Sequence, residues 1–218
     1  MSTHSVHQFA EKVALITDGT SAVGRAVALQ LALNGAYVIV GQPADQPADP
    51  SIEELQSMGT LASSVVWDAR TDEGAKTLAA GAAERFERVD FLVNCLKYAG
   101  ESAFLETEAA AVRDAIDREI EAPLRVVKAA FPWMKERPRA RIVNVLSGEM
   151  PNIGVVNSIV GAAVREMTRA LDRELPDNFK ANAVVANGAA ADDVARAVLF
   201  LLSSEAKAVS GETMVLSA

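Results

Sequence analysis

The sequence is poor in the groups on which most proton-transfer chemistry relies: its 218 residues include two histidines, two tyrosines and one cysteine. A lone thiol, Cys95, forms no internal disulfide and has no companion for a metal site, so it points to a reducing compartment, the cytoplasm. Both histidines, His4 and His7, fall in the first ten residues. That stretch lacks the basic flank and apolar core of a signal peptide and reads as a short tail, 1–10. No apolar run approaches the roughly 18 to 20 residues needed to cross a bilayer. Positive charge is scarce as well, with 21 Lys and Arg against 29 Asp and Glu and a net charge of -8. That balance argues against nucleic acid and anionic membranes as partners.

Apolar residues, by contrast, make up 50% of the chain, enough for one large core, and residues 11–218 read as a single domain. Short β-type runs alternate with amphipathic stretches throughout. The runs are V-A-L-I-T, Y-V-I-V, S-V-V-W, D-F-L-V-N, R-I-V-N-V-L, A-N-A-V-V and E-T-M-V-L. Between them lie helices over 22–34, 51–58, 73–86, 108–136, 155–175 and 191–203. This order predicts a Rossmann-like, doubly wound α/β domain. Its seven-stranded parallel sheet is covered by helices on both faces, with the ligand crevice at the carboxyl ends of the strands. The segment G-Q-P-A-D-Q-P-A-D-P at 41–50 reads as an irregular loop. Pro123 removes one backbone donor inside the long helix and predicts a kink there.

Between the first strand and its helix stands T-D-G-T-S-A-V-G-R-A, residues 17–26. A dinucleotide-binding turn places glycines for the bend, for approach to the pyrophosphate and for helix packing. Asp18 stands at the first place, Ala22 at the second, and Gly24 at the third, while Gly19 can restore the bend. A carboxylate about 4 Å from a phosphate is repelled by roughly 1 kcal/mol even at the dielectric of water. Gln42 stands where an acid would hold the ribose hydroxyls, and Asp68 ends the third strand.

Six segments in order resemble the classical short-chain dehydrogenase/reductase family over nearly the whole chain. The first strand and turn are one. D-F-L-V-N-C-L-K resembles the family's L-V-N-N-A-G, and I-D-R-E-I-E-A-P its I-D-V-N-L-T-G-P. R-I-V-N-V-L-S is similar to R-I-V-N-I-S-S, the helix A-A-V-R-E-M-T-R-A-L-D-R-E-L to the one after the catalytic residues, and K-A-N-A-V-V-A-N-G to V-R-V-N-A-V-A-P-G. The resemblance also implies what is missing. Asn157 and Gly161 stand for the family's proton-donating tyrosine and its lysine, Glu119 for its asparagine, and only the serine remains, as Ser147. The cofactor positions implied are Asp18, Gly19, Ala22, Gly24, Gln42, Asp68 and Asn94, with Lys97 replacing a glycine. The family's substrate lid is lacking, since the chain passes from Asn187-Gly188 almost directly into the last helix.

Replacement chemistry is open to few residues. Tyr37 begins the second strand, away from the crevice. Lys97 and Tyr98 would form a pair only if consecutive side chains converged. Glu119 and Glu149 form a carboxylate pair only if Glu119 is not taken by Arg118 or Arg125. Cys95 has no histidine to make its thiolate. On the helix 155–175, Val155, Val156, Ile159, Val160, Ala163, Val164, Met167 and Leu171 form a broad apolar stripe. It either covers the chain's own sheet or, with Gly161 and Ala162, admits a second helix closely.

A retained scaffold with altered site residues resembles the non-catalytic subunit of hetero-oligomeric family members, such as the two-subunit hydroxybenzylsuccinyl-CoA dehydrogenase of anaerobic toluene breakdown. On this expectation the chain carries no catalytic residue, no metal and no cofactor, and NAD(P) sits in a partner subunit. The partner is an active paralogue in a heterotetramer, joined through the helices 108–136 and 155–175 and the last strand. Two alternatives stand beside it: an NAD(P)-dependent oxidoreductase active on its own with unconventional groups, and a nucleotide-sensing regulatory subunit.

Overall fold

The computed structural model describes residues 8–44, 51–57, 59–98, 104–148 and 154–217. Seven strands run in parallel: β1 (Val13–Ile16), β2 (Tyr37–Pro43), β3 (Ala62–Trp67), β4 (Phe91–Lys97), β5 (Ala140–Gly148), β6 (Phe179–Asn187) and β7 (Thr213–Ser217). Their order across the sheet is β3-β2-β1-β4-β5-β6-β7, reversing direction between β1 and β4. The helices are α1 (Ala22–Leu33), α2 (Ser51–Ser57), α3 (Asp72–Phe86), α4 (Ala109–Ile116), α5 (Ala122–Met134), α6 (Val155–Glu174) and α7 (Ala191–Leu202).

Near-continuous apolar strands are what a sheet covered on both faces requires. In β1, Ala14 and Ile16 pack into the layer with α1 and α7, whereas Val13 and Leu15 face α3 and α5. Phe9 belongs to the first layer, 2% exposed and edge-on to the ring of Phe91; the packed body therefore takes in a residue that the sequence reading put in the tail. Strand β2 runs on through Pro43, so the first residues of the expected loop at 41–50 are strand. Residues 45–50 lie outside the described residues.

The long helix is not uniformly α-helical. One π-helical turn, Asp117–Glu121, joins α4 to α5, immediately before Pro123. The break expected at Pro123 is thus taken up by a wider turn, a device frequent at functional sites. In α6 the apolar stripe divides: Val156, Val160, Val164 and Met167 are buried on the sheet, whereas Ile159 is 43% exposed.

Polar groups also run through the core. The Asn94 amide donates to Asn144 Oδ1 at 2.8 Å, the Asn144 amide donates to Thr168 Oγ1 at 2.9 Å, and the Thr168 hydroxyl donates to the Val164 carbonyl at 2.7 Å. All three side chains are fully buried; the bonds satisfy the Asn144 and Thr168 groups, which would otherwise be costly there, and leave Asn94 Oδ1 without a partner among the described residues.

Candidate active site

The turn after β1 is built on close approaches. A Cβ on Gly24 would collide with the Asp18 carbonyl oxygen, and one on Gly19 with the Val40 side chain. A Cβ on Gly41 would strike the Thr17 carbonyl and come within 2.8 Å of Trp67 Nε1. That glycine lets the Trp67 indole donate to the Thr17 carbonyl at 2.9 Å, tying β3 to the turn. Ser21 caps α1, its hydroxyl accepting from the Gly24 N–H at 3.0 Å. Ala22 and Val23 open the helix, and their N–H groups lie among those a helix start leaves without intrahelical partners.

Asp18 is 5% exposed, and its Oδ1 accepts from the Thr20 N–H at 2.9 Å, the Thr20 hydroxyl at 2.6 Å and the Ser21 N–H at 3.3 Å. Its Oδ2 meets the Lys97 ammonium at 2.7 Å. The two departures from the glycine pattern are therefore partners: the lysine at the end of β4 neutralises the aspartate at the end of β1. Nothing local in the sequence links the two residues, which meet only through the fold.

Beside this pair lies a cavity of about 390 Å³. It runs along the carboxyl ends of the strands, from Pro43, Ala44, Trp67 and Asp68 at one end to Lys97, Glu119 and Pro123 at the other. Asp68 Oδ1 accepts from the Arg70 N–H at 2.9 Å, so it closes a local turn while facing the cavity. Gln42 is half-buried on β2 beside Pro43. Asn94 does not line this cavity: it is 0% exposed within the sheet, and its amide donates to Asn144 Oδ1.

Glu119 forms neither of the ion pairs expected for it with Arg118 or Arg125. Placed on the π-turn, it points inward, 6% exposed, and Oε2 accepts from the Lys97 N–H at 2.8 Å. Burial is the main influence on its carboxyl and pushes its pKa up to about 7, against the lowering effects of that bond and of the Arg118 and Lys97 charges. Arg125 is instead held by Asp117 and Glu121. Glu149 lies outside the described residues, as do His4 and His7. Cys95 lines the cavity, but burial pushes its thiol up to about 12, which keeps it protonated.

On the other side of β4, Ser147 is half-buried at the end of β5, opposite Lys97 in register. Asn157 is 4% exposed, and its Oδ1 has no hydrogen-bond partner among the described residues. Gly161 is buried, and a Cβ there would meet only Arg165 Nη2 at 3.5 Å and Leu146 Cδ2 at 4.0 Å. The Tyr98 hydroxyl donates to Asn187 Oδ1 at 3.2 Å, pointing away from Lys97, so the two consecutive side chains do diverge. Arg165 escaped sequence reading, although its place one turn beyond Gly161 was a signal. Three residues, 188–190, join β6 to α7, leaving no room for a lid at that connection. Among the described residues no cluster of metal-ligating side chains occurs, and no helix is long and apolar enough to cross a membrane.

Comparison with known proteins gives this crevice its context. The 3-oxoacyl-acyl-carrier-protein reductase of Staphylococcus epidermidis is 24% identical over 234 residues, covering 93% of this chain and 96% of that protein. A dehydrogenase/reductase from Sinorhizobium meliloti superimposes with a TM-score of 0.88 at 23% identity, over 98% of this chain and 96% of that one. A short chain dehydrogenase from Burkholderia cenocepacia, solved in complex with NADP, does so with a TM-score of 0.85 at 22% identity, over 97% and 98% of the two chains. At such identities the structures establish a shared fold.

These relatives overturn the expectation that the chain has no cofactor of its own: the fold is one that, in the Burkholderia protein, carries NADP. The physical reason lies in Asp18. Repulsion of the phosphates requires an unpaired charge facing them, whereas the carboxylate is neutralised by Lys97 and folded into its own turn. The model of the short chain dehydrogenase family matches residues 12–197, from the start of β1 into α7, and the chain belongs to that family.

Proposed function

We propose that this chain is an NAD(P)-dependent oxidoreductase that binds its cofactor in the crevice beside Asp18 and Lys97. The observation that carries this reading is the 2.7 Å ion pair between those residues, which leaves the turn before α1 without net charge at the edge of a cavity of about 390 Å³. A helix start with open N–H groups favours an anion. The first turn of α1 and the Lys97 ammonium would hold the diphosphate, and Asp68 and Gln42 the adenosine end. When bound, the cofactor supplies or accepts hydride. Glu119, which changes charge near neutrality, makes binding of the anionic cofactor tighter as pH falls from 8 to 6.

The substrate class proposed is a ketone or the corresponding alcohol, with a 3-oxoacyl thioester as first probe because the staphylococcal relative is named for that group. Calorimetric titration with NADH and NADPH, followed by reduction of acetoacetyl thioester, tests the reading. Micromolar binding with thioester-dependent oxidation of the dinucleotide supports it, and a chain that binds neither dinucleotide refutes it.

A second reading is favoured by Asn157 and Gly161, which supply neither acid nor cation on α6. In it the chain is the non-catalytic subunit of a hetero-oligomer with an active paralogue, and half-exposed residues of α6 such as Ile159 contribute to the contact. Turnover seen only on adding the paralogue, with cofactor bound to both chains, would favour it over the first.

A further inference from the structure

On the far side of β4 from Lys97, outside the lining of the cavity, the phenol of Tyr98 meets the amide of Asn187 at the end of β6, and the guanidinium of Arg165 lies beside Gly161 on α6. We propose that Tyr98 is the group that exchanges the proton with the substrate oxygen, with Arg165 as its cation and Asn187 as its positioning residue. This rests on the reading that the crevice takes a nicotinamide dinucleotide.

The backbone holds Tyr98 in place. Its N–H donates to the Ser147 carbonyl at 3.3 Å, continuing the pairing of β4 with β5 by one residue. Its ring lies over Gly148, where a Cβ would come within 3.3 Å of Cδ2, and its hydroxyl reaches Asn187 Oδ1 at the end of β6. The side chain thus spans the ends of β4, β5 and β6, where an open parallel sheet presents its ligands. From α6, Arg165 folds back over Gly161, with Nη2 within 3.5 Å of where a Cβ would stand. A larger residue at 161 would contest that space. The charge of Arg165 acts on Tyr98 and draws its pKa down, whereas burial, the larger effect, pushes it above the ordinary 10.

Two ionisable groups that line the cavity beside β4 are engaged elsewhere: Lys97 is turned to Asp18, and Glu119 accepts from the Lys97 N–H. The other tyrosine, Tyr37, is stacked on Phe86 at the opposite end of the sheet, the start of β2. A phenol that stays protonated through neutral pH is suited to act as an acid. In the reductive direction the bound dinucleotide would supply hydride to the carbonyl carbon, and the proton comes from this chain. The Tyr98 O–H bond breaks, the alcohol O–H bond forms, and the phenolate is stabilised by Arg165 until water returns the proton. Positioned proton transfer of this kind contributes roughly 100- to 10,000-fold in rate.

Because the chain has two tyrosines, Tyr37→Phe isolates Tyr98 for ultraviolet titration of tyrosinate, with no ligand present. The charged neighbour that bears on it is Arg165 from α6. In that background, Arg165→Met is expected to raise the Tyr98 pKa by about half a unit or more, and Arg165→Lys to restore most of the shift. Tyr98→Phe in the full chain is expected to reduce thioester turnover roughly 100-fold or more, with calorimetric NADPH affinity unchanged. An unmoved titration in Arg165→Met, or full turnover in Tyr98→Phe with NADPH bound, overturns the proposal alone. A wild-type chain that binds no dinucleotide overturns the function reading instead, whatever the titration gives.

Discussion

Replacing Glu119 by glutamine should stabilise the protein at alkaline pH and do nothing at acid pH. The carboxyl is 6% exposed on the π-turn, and its pKa stands at about 7 rather than 4.5. The folded chain therefore holds this proton more tightly than the unfolded chain does. The stability contributed by the protonated form is complete below about 4.5 and is lost as pH rises through about 7. At about 1.4 kcal/mol per pKa unit, ionising this group costs the fold roughly 3 kcal/mol. Glutamine carries no charge, and its amide oxygen can still accept from the Lys97 N–H. Urea unfolding of both proteins at half-unit steps from pH 4.5 to 8.5 measures the difference directly, because every other titrating group cancels. The expected gap is near zero at pH 4.5, widens through pH 6 and levels at up to about 3 kcal/mol above pH 7.5. A gap that stays constant with pH would refute the argument, since it would mean that Glu119 titrates alike in both states.

Other perturbations test the packing of the crevice. Lys97→Ala leaves the buried Asp18 carboxylate with its turn donors alone. Because the lysine is half exposed, the expected loss is about 1 to 2 kcal/mol, less than for a fully buried pair, with weaker NADPH binding that adding Asp18→Gly restores only in part, since the lysine's own contact with the diphosphate stays lost. Two glycines should respond in opposite senses in thermal melts. Gly24→Ala drives a methyl into the Asp18 carbonyl and is expected to cost about 3 kcal/mol or more. Gly161→Ala, with only ordinary contacts to meet, is expected to gain about 0.5 to 1 kcal/mol. Thr168→Val leaves the buried Asn144 amide without its acceptor and should cost about 1 to 3 kcal/mol.

The strands and helices were legible because a doubly covered parallel sheet writes itself as apolar runs between amphipathic stretches, and the boundaries from V-A-L-I to T-M-V-L fall within a few residues of those found. Pro123 announced an irregularity, though not that a π-turn would absorb it or that the same turn would send Glu119 inward. The site was less legible, because its interactions are long-range. Asp18 reads as an intruding charge until Lys97 is seen against it. Asn94 reads as a ligand position until Asn144 is seen across the sheet. Gly41 passes for part of a loop until Trp67 and Thr17 are seen to converge on it. Arg165 drew no attention because its role depends on the side chain that Gly161 lacks.

The buried path from Asn94 through Asn144 to Thr168 has a consequence for how the sheet assembles. Two apolar strands lying between two apolar layers would pack almost as well after sliding past one another, since neither face marks a preferred alignment. An amide that must meet an amide, and then a hydroxyl on α6, supplies the mark. Displacing β4 along β5 would strand these polar groups in a dry interior, at about 1 to 3 kcal/mol for each one left unpaired. The path thus acts as an alignment key. It fixes which residues emerge at the top of β4 and β5, and so sets Lys97 level with Ser147.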